Sequence, residues 1–225
     1  MFRLLDNIMW NCLSGPHARY SLGTDSTRRY ARGFSPIVAC ADPDRPDFTV
    51  LERLFDPGES FYIDLWTGPK PAGWTVDREA RMLKMVWQGT AAAEDAAPDA
   101  VRLLPEHYAA ALDLAKLTNP GPFGIRTPEL GEYFGYFDDG RLIAMAGERL
   151  CAGDLQEISG VCTHPDYLGR GYASRLTLKL VHRQLRRSRY PFLHVVSHNE
   201  SARTLYEKLG FRIYRETVLR VLTRS

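Results

Sequence analysis

The sequence predicts an α/β chain built on a mixed sheet, and three observations carry that reading. Residues Asp154 to Leu222 run without interruption as strand, glycine-bearing loop, helix, strand, helix and strand. The first hundred residues alternate shorter strand-like and helix-like stretches and read as a smaller α/β unit. Between them Gly89 to Asp99 (GTAAAEDAAPD) is small, acidic and poor in apolar side chains, the composition of a linker. The reading is therefore of two units, residues 1–98 and 99–225. With 225 residues, 44% hydrophobic and 25% charged, the chain is long and apolar enough to bury a core as a soluble globular protein.

Taken in order, Phe2 to Leu13 has helical spacing in Leu4, Leu5, Ile8, Met9 and Cys12. Gly15 to Gly33 is polar, with one short candidate strand at Ala18 to Leu22. Pro36 to Ala41 reads as a buried strand, and Phe48 to Phe55 as a helix stopped by Asp56-Pro57-Gly58. Phe61 to Trp66 and Ala80 to Trp87 alternate as strands on either side of a Gly/Pro loop, Gly68 to Gly73. In the second unit Pro105-Glu106 suits a helix first turn, and His107 to Leu117 places Tyr108, Ala111, Leu112 and Ala115 on one face. Asn119 to Leu130 carries three prolines and two glycines, so it reads as an irregular loop or broken helix. Glu132 to Phe137 and Arg141 to Leu150 form a hairpin across Asp138-Asp139-Gly140.

The central stretch begins at Asp154. Leu155, Ile158, Val161 and Cys162 give a strand, ended at His164-Pro165-Asp166 because Pro165 has no N–H to donate. Gly169 and Gly171 permit positive φ and close approach by a ligand. From about Gly171 the pattern is helical, with Ala173, Leu176, Leu178, Leu180, Val181 and Leu185 on one wide arc. A glycine loop entering a helix straight after a strand makes an anion site, since the first N–H groups lack partners and the dipole favours negative charge. By itself the same pattern also describes a tight strand-to-helix turn without a ligand. Pro191 to Val196 is the next strand, Ser197 to Glu200 a capping box, Ala202 to Leu209 a helix stopped at Gly210, and Phe211 to Leu222 the last strand.

The segments VCTHPDYLGRGYA and NESARTLYEKLGF resemble the Gcn5-related N-acetyltransferase (GNAT) superfamily, in particular its FR47-like branch, over roughly Leu103 to Thr223. The resemblance implies a GNAT-like acyl-CoA transferase fold for the C-terminal half. It also frames the N-terminal half as a degenerate GNAT-like copy without a coenzyme site, because no glycine loop is present there. The implied activity is acyl-CoA-dependent N-acyl transfer, acetyl from acetyl-CoA to a primary amine, by direct attack in a ternary complex and without a metal. A non-catalytic acyl-CoA-binding or assembly module on the same fold is the alternative. The family's loop reads Gln/Arg-x-x-Gly-x-Gly/Ala; here it is Leu168, Gly169, Arg170, Gly171, Tyr172 and Ala173, with Leu168 in place of the polar residue.

By that resemblance the coenzyme is held by backbone groups of Val161, Cys162 and Thr163, by the loop from Leu168 to Ala173 with Ser174, and by Asn199, Ala202 and Tyr206. Asn199 has an ordinary role beside this one, as a helix cap. Tyr206 matches the position whose hydroxyl protonates the departing thiolate, while its spacing equally fits packing on the helix's apolar face. Glu157 is the candidate base: a carboxylate inside an apolar strand is costly unless paired or functional, and burial raises its pKa toward a useful value. The competing role is an ion pair with Arg126 or Arg149, and Glu148 on the neighbouring strand is the second candidate base. Cys162 lies on the strand face opposite Glu157 with no activating partner, which disfavours an acyl-cysteine. His164 and His194 read as structural, and Arg183, Arg186, Arg187 and Arg189 as charges at a helix C-terminus, with contact to the coenzyme's adenosine 3′-phosphate as the alternative.

A net charge of +2 with no basic, aromatic-interleaved stripe argues against nucleic acid as partner. Cys12, Cys40, Cys151 and Cys162 show no C-x-x-C spacing, so neither a zinc site nor a disulfide framework is expected, and a reducing, cytoplasmic setting fits. No apolar run approaches the ~18 residues of a membrane span, and no signal peptide is recognised. The expected partners are acetyl-CoA and an amine, with the chain as monomer or homodimer.

Overall fold

The computed structural model describes residues 2–90 and 94–225. Two short helices, α1 (Arg3–Asp6) and α2 (Ile8–Leu13), open the chain. They are followed by β1 (Ser21–Gly23), β2 (Thr27–Tyr30), β3 (Ile37–Cys40), α3 (Phe48–Leu54), β4 (Ser60–Asp64) and β5 (Trp74–Trp87). The remainder is β6 (Val101–Arg102), α4 (Tyr108–Thr118), β7 (Tyr133–Asp138), β8 (Arg141–Ala152), β9 (Leu155–Thr163), α5 (Tyr172–Arg186), β10 (Tyr190–Val196), α6 (Glu200–Lys208) and β11 (Phe211–Arg224). The α/β class and the strand–loop–helix–strand–helix–strand order expected after Asp154 are both present.

All the strands join one mixed sheet in the order β1-β2-β3-β4-β11-β5-β10-β9-β8-β7-β6. The pairing is antiparallel except at two places, β3 with β4 and β9 with β10. Each parallel pair is bridged by a helix, α3 or α5, as a parallel crossover requires. The two parallel pairs sit symmetrically about the central β11–β5 ladder, so the sheet from β1 to β7 has the same pairing pattern read from either end. The two central strands are exchanged. β5, from the first unit, lies between β10 and β11; β11, from the second, lies between β4 and β5. The sequence boundary at residue 98 thus falls in the connection after β5, while the hydrogen-bonded ladder is continuous across it.

The strand expected at Ala18–Leu22 begins only at Ser21, after a 3-10 turn over Ala18–Tyr20, and β6 was not expected. Three further elements differ from the sequence reading, each for a physical reason. β5 starts at Trp74, six residues earlier than expected, because the charged run Asp77-Arg78-Glu79 hides the alternation while its backbone pairs along β11. β2 (TRRY) has a polar sequence, yet Arg29 is 5% exposed. Its guanidinium lies 3.7 Å from the centre of the Phe55 ring and its Nη1 donates to the Leu54 carbonyl at 2.5 Å. The N-terminal helix breaks at Asn7, φ −127°, where the side-chain amide donates to the Cys40 carbonyl at 2.9 Å.

The core follows the layers. Leu176, Leu180 and Val181 of α5 pack with Leu193 and Val195 of β10 and with Tyr206 of α6. On another face α1 and α2 bring Leu5, Ile8, Cys12 and Leu13 against Leu150, Leu155 and Phe192. Within this apolar surround Lys84 of β5 is fully buried. It pairs with Asp64 of β4 at 2.9 Å and donates to the Leu5 and Asp6 carbonyls at 3.1 and 3.2 Å. One ammonium therefore ties the end of α1 to both central ladders.

Removing one member of a buried pair leaves the other as an unpaired charge in a dry site, so Lys84→Ala is expected to destabilise the fold by about 3–5 kcal/mol. The double variant Lys84→Met/Asp64→Leu should recover most of that loss. Chemical denaturation of the three proteins checks this, and an additive double variant would show that the two side chains do not act as a pair.

Candidate active site

β9 and β10 pair in parallel only from Tyr190↔Leu155 to Leu193↔Ile158. Beyond that point β9 bends away. Between the pairs Gly147↔Ser159 and Met145↔Cys162 it carries one residue more than β8, and Gly160 in this bulge has φ +64°, a conformation suited to glycine. A Cβ there would also stand 3.1 Å from the Tyr133 ring. The edge of β9 from Ser159 to Thr163 that faces β10 is left without a strand partner, and a cleft opens between the two strands.

Two cavities lie along this cleft. The first, about 190 Å³, is lined by Glu157, Ser159 and Val161 of β9, His194 of β10, and Asn199, Ala202 and Tyr206 around α6. Tyr62, Arg78, Ala80 and Met82 form a wall of it from the first unit, together with the Asn119–Pro122 loop. The second, about 660 Å³ and more open, is lined by Thr163, the loop Tyr167 to Ser174, and Ser201, Thr204, Leu205 and Lys208 of α6. α6 thus presents one side to each cavity.

The loop ends in an uncapped helix N-terminus. Gly169 and Gly171 have φ +74° and +79°, and Gly171 is the N-cap of α5 with no side chain capping it. The first N–H groups of α5 thereby point to open solvent space, where the helix dipole favours negative charge. A Cβ at either glycine would meet nothing within 4 Å, so conformation and not crowding calls for glycine. Leu168 is 65% exposed on the rim and contributes no polar contact. Leu168, Gly169, Arg170, Gly171, Tyr172, Ala173 and Ser174 all line this second cavity, and Val161, Asn199, Ala202 and Tyr206 the first. Cys162 lines neither. Its side chain packs with Leu114, Tyr133 and Met145, and burial pushes its thiol up to about 11.

Glu157 departs from what its sequence position led one to expect. Burial works to raise its pKa, but Arg149 and His194 outweigh it and hold the carboxyl well below the ordinary carboxylate value. Oε1 accepts from Arg149 Nη2 at 2.9 Å and from His194 Nδ1 at 2.7 Å. Oε2 accepts from Arg149 Nε and from the Leu150 N–H, both at 3.0 Å. That Leu150 N–H is available because β8 carries an extra residue between Glu148 and Cys151 opposite β9. Four donors occupy the four acceptor sites of the carboxylate, leaving none for an incoming proton. Of the two ion-pair partners considered from sequence, Arg149 is the one in contact. Glu148 is likewise engaged, accepting from Gln184 Nε2 at 3.1 Å and the Glu132 N–H at 3.1 Å and pairing with Arg187, and it does not line the cavity.

His194, read from sequence as structural, bonds Glu157 and lines the first cavity. Because the Glu157 oxygen is an ionised acceptor, Nδ1 must carry the hydrogen of their bond. Nε2 is then the basic nitrogen. It is buried without a hydrogen-bond partner among the described residues, and the residue lines the cavity. His164, by contrast, bonds Arg141 through Nε2 and caps Asp166 through Nδ1. Tyr206 is 7% exposed, burial pushes its phenol well up, and its ring stacks edge-on against Phe211 at 6.0 Å. At neutral pH it keeps its proton. Asn199 is the N-cap of α6, its Oδ1 accepting from the Ala202 N–H at 3.1 Å, so the cap is Asn199 itself and not the Ser197 of the expected box. Arg183 and Arg187 at the far end of α5 pair with Glu132.

No helix among the described residues is long and apolar enough to cross a membrane. The FR47-like protein family matches residues 133–221. No curated protein matches the chain. Among solved structures, a GNAT-family protein from Novosphingobium aromaticivorans is similar at 35% identity and a TM-score of 0.89, covering 98% of each chain. A GCN5-related N-acetyltransferase-like protein from Streptococcus suis shares the fold at 16% identity and TM-score 0.63, over 97% of this chain and 92% of its own. A GCN5-related N-acetyltransferase from Kribbella flavida does so at 16% identity and TM-score 0.61, over 96% and 94%. With the parallel-strand cleft, the glycine cradle and this full-length likeness together, the chain belongs to the GCN5-related N-acetyltransferase (GNAT) family.

Proposed function

We propose that the protein transfers acetyl from acetyl-CoA to a primary amine by direct attack in a ternary complex, with His194 as general base and Tyr206 as general acid. The observation that carries this reading is the His194–Glu157–Arg149 chain, which presents an unpartnered imidazole nitrogen to the cavity that Tyr206 also lines. The N–H groups at the start of α5 would hold the pyrophosphate, and the unpaired edge of β9 would hydrogen-bond the pantetheine arm. His194 Nε2 takes the proton from the attacking amine. Glu157 fixes the tautomer and stabilises the imidazolium, and Arg149 keeps Glu157 ionised; both are positioning residues. The Tyr206 hydroxyl gives its proton to the departing thiolate as the carbon–sulfur bond breaks.

The same cavity favours an acceptor bearing an anionic group. Arg78 lines it from β5, is exposed, and has no ion-pair or hydrogen-bond partner among the described residues. Beside it lie the apolar Met82, Leu219 and Val221. A carboxylate on the acceptor would meet a guanidinium there while its amine points inward toward His194.

Isothermal titration with acetyl-CoA, followed by an amine screen read by free-thiol release, tests the function; no binding at millimolar ligand would leave only a module of the same fold with another ligand. His194→Gln should lower kcat/KM ~10²-fold or more and abolish the acidic limb of its pH profile. Glu157→Gln should lower the rate and keep a limb, because the proposed base His194 remains in place; loss of the limb in Glu157→Gln would make Glu157 the base instead. Tyr206→Phe should lower kcat ~10²-fold with coenzyme affinity nearly unchanged, and an unaltered kcat would exclude the acid role. Arg78→Gln should raise KM for carboxylate-bearing amines roughly tenfold and leave uncharged amines alone, in line with one lost charge-assisted hydrogen bond.

A further inference from the structure

Away from the cleft, on the side covered by α1 and α2, three soft donor side chains converge that the transfer chemistry does not use. Cys12 comes from α2, His17 from the turn just after it, and Cys151 from the end of β8. One ligand atom from each lies within 4.8 Å of the others. Cys12 is fully buried, His17 is 5% exposed and Cys151 is half-buried. His17 Nε2 stands 3.5 Å from the Cys151 sulfur.

From this arrangement we propose that Cys12, His17 and Cys151 form a binding site for a thiophilic metal ion, with Zn(II) as the divalent case and Cu(I) as the competing soft ion. Two sulfurs and an imidazole nitrogen are the donors such ions select over oxygen-preferring cations. The groups around the donors are those of a metal site. His17 Nδ1 is hydrogen-bonded to the Tyr30 hydroxyl at 2.7 Å, which turns Nε2 toward the sulfurs and fixes the ring. The Cys151 backbone N–H donates to the Cys12 sulfur at 3.4 Å, a bond that supports a sulfur carrying negative charge. The His17 N–H donates to the Cys12 carbonyl at 2.9 Å, closing the short loop that brings two ligands to one side. On binding, each thiol releases its proton to solvent, and two thiolates neutralise a divalent ion. The half-buried side of Cys151 leaves room for water as fourth ligand.

The site escapes a reading of cysteine spacing because Cys12 and Cys151 are 139 residues apart, with no paired motif on either side. Its consequence would be to clamp α2 to β8, the strand that carries Arg149.

The test uses the full-length, untagged protein. Metal content after purification without chelator should approach one zinc per chain. Titration of the apo-protein with Co(II) should give thiolate-to-metal charge-transfer absorption in the near ultraviolet and the visible bands of a four-coordinate site. Bound Zn(II) should also shield two thiols from alkylation. Cys151→Ser and His17→Gln should each weaken Zn(II) binding by ~10²-fold or more, the scale on which even supporting groups of a metal site act. The wild-type Co(II) spectrum and thiol protection decide the matter even where a variant fails to fold. Absence of charge-transfer bands with both thiols still reactive would overturn the proposal. So would an intact mass showing Cys12 and Cys151 joined as a disulfide in the protein as isolated.

Discussion

The rest of the structure depends on the exchange of the two central strands. Without β5 and β11, β10 and β4 would each be a bare sheet edge, and the two parallel pairs would belong to separate sheets. β5 between β10 and β11, and β11 between β4 and β5, turn both edges into interior ladder positions. Lys84, buried on β5 and paired with Asp64 of β4, sits inside that exchanged pair and fixes α1 against it. The exchange also gives the cavity its fourth wall, since Arg78, Ala80 and Met82 reach it only because β5 lies beside β10.

The cleft itself follows from a local defect. A parallel pair whose members stayed in register would close it. One extra residue at Gly160 bends β9 away after Ile158, and one extra residue on β8 near Leu150 frees an N–H for Glu157. The two bulges therefore do related work on adjacent strands: the first exposes a strip of backbone, the second saturates a buried carboxylate. A carboxylate in that place is tolerable only because Arg149, His194 and the Leu150 N–H together replace the water it has lost. All four of its acceptor positions are taken, one of them by the His194 imidazole.

Much of this was legible from residue order. The second half after β6, which was not expected, reads correctly element by element because its strands and helices are long and strongly patterned, and its glycines stand where positive φ is needed, at 169, 171 and 210. The first half reads less well. β2 is the polar TRRY segment whose Thr27, Arg29 and Tyr30 are buried, Arg29 against Phe55, and the start of β5 is charged, so in both places pairing with distant strands overrides local composition. At the site, the motif marks the glycine loop that lines the second cavity, while the base expected there, Glu157, is hydrogen-bonded to His194, the base proposed above. Strand alternation can put Glu157 inside; it has no means of showing that His194, 37 residues on, donates to it.

What the sequence by itself determined was the α/β class, the order of elements after Asp154, the glycine cradle and the family resemblance. These rest on periodicity and turn chemistry, which act between near neighbours in the chain. Only the tertiary structure decided the strand exchange, the Glu157–His194–Arg149 hydrogen-bonded chain and the meeting of Cys12, His17 and Cys151. Each of these joins residues from separate strands or helices, and such contacts are set by sheet order and bulges, long-range features with no local signature.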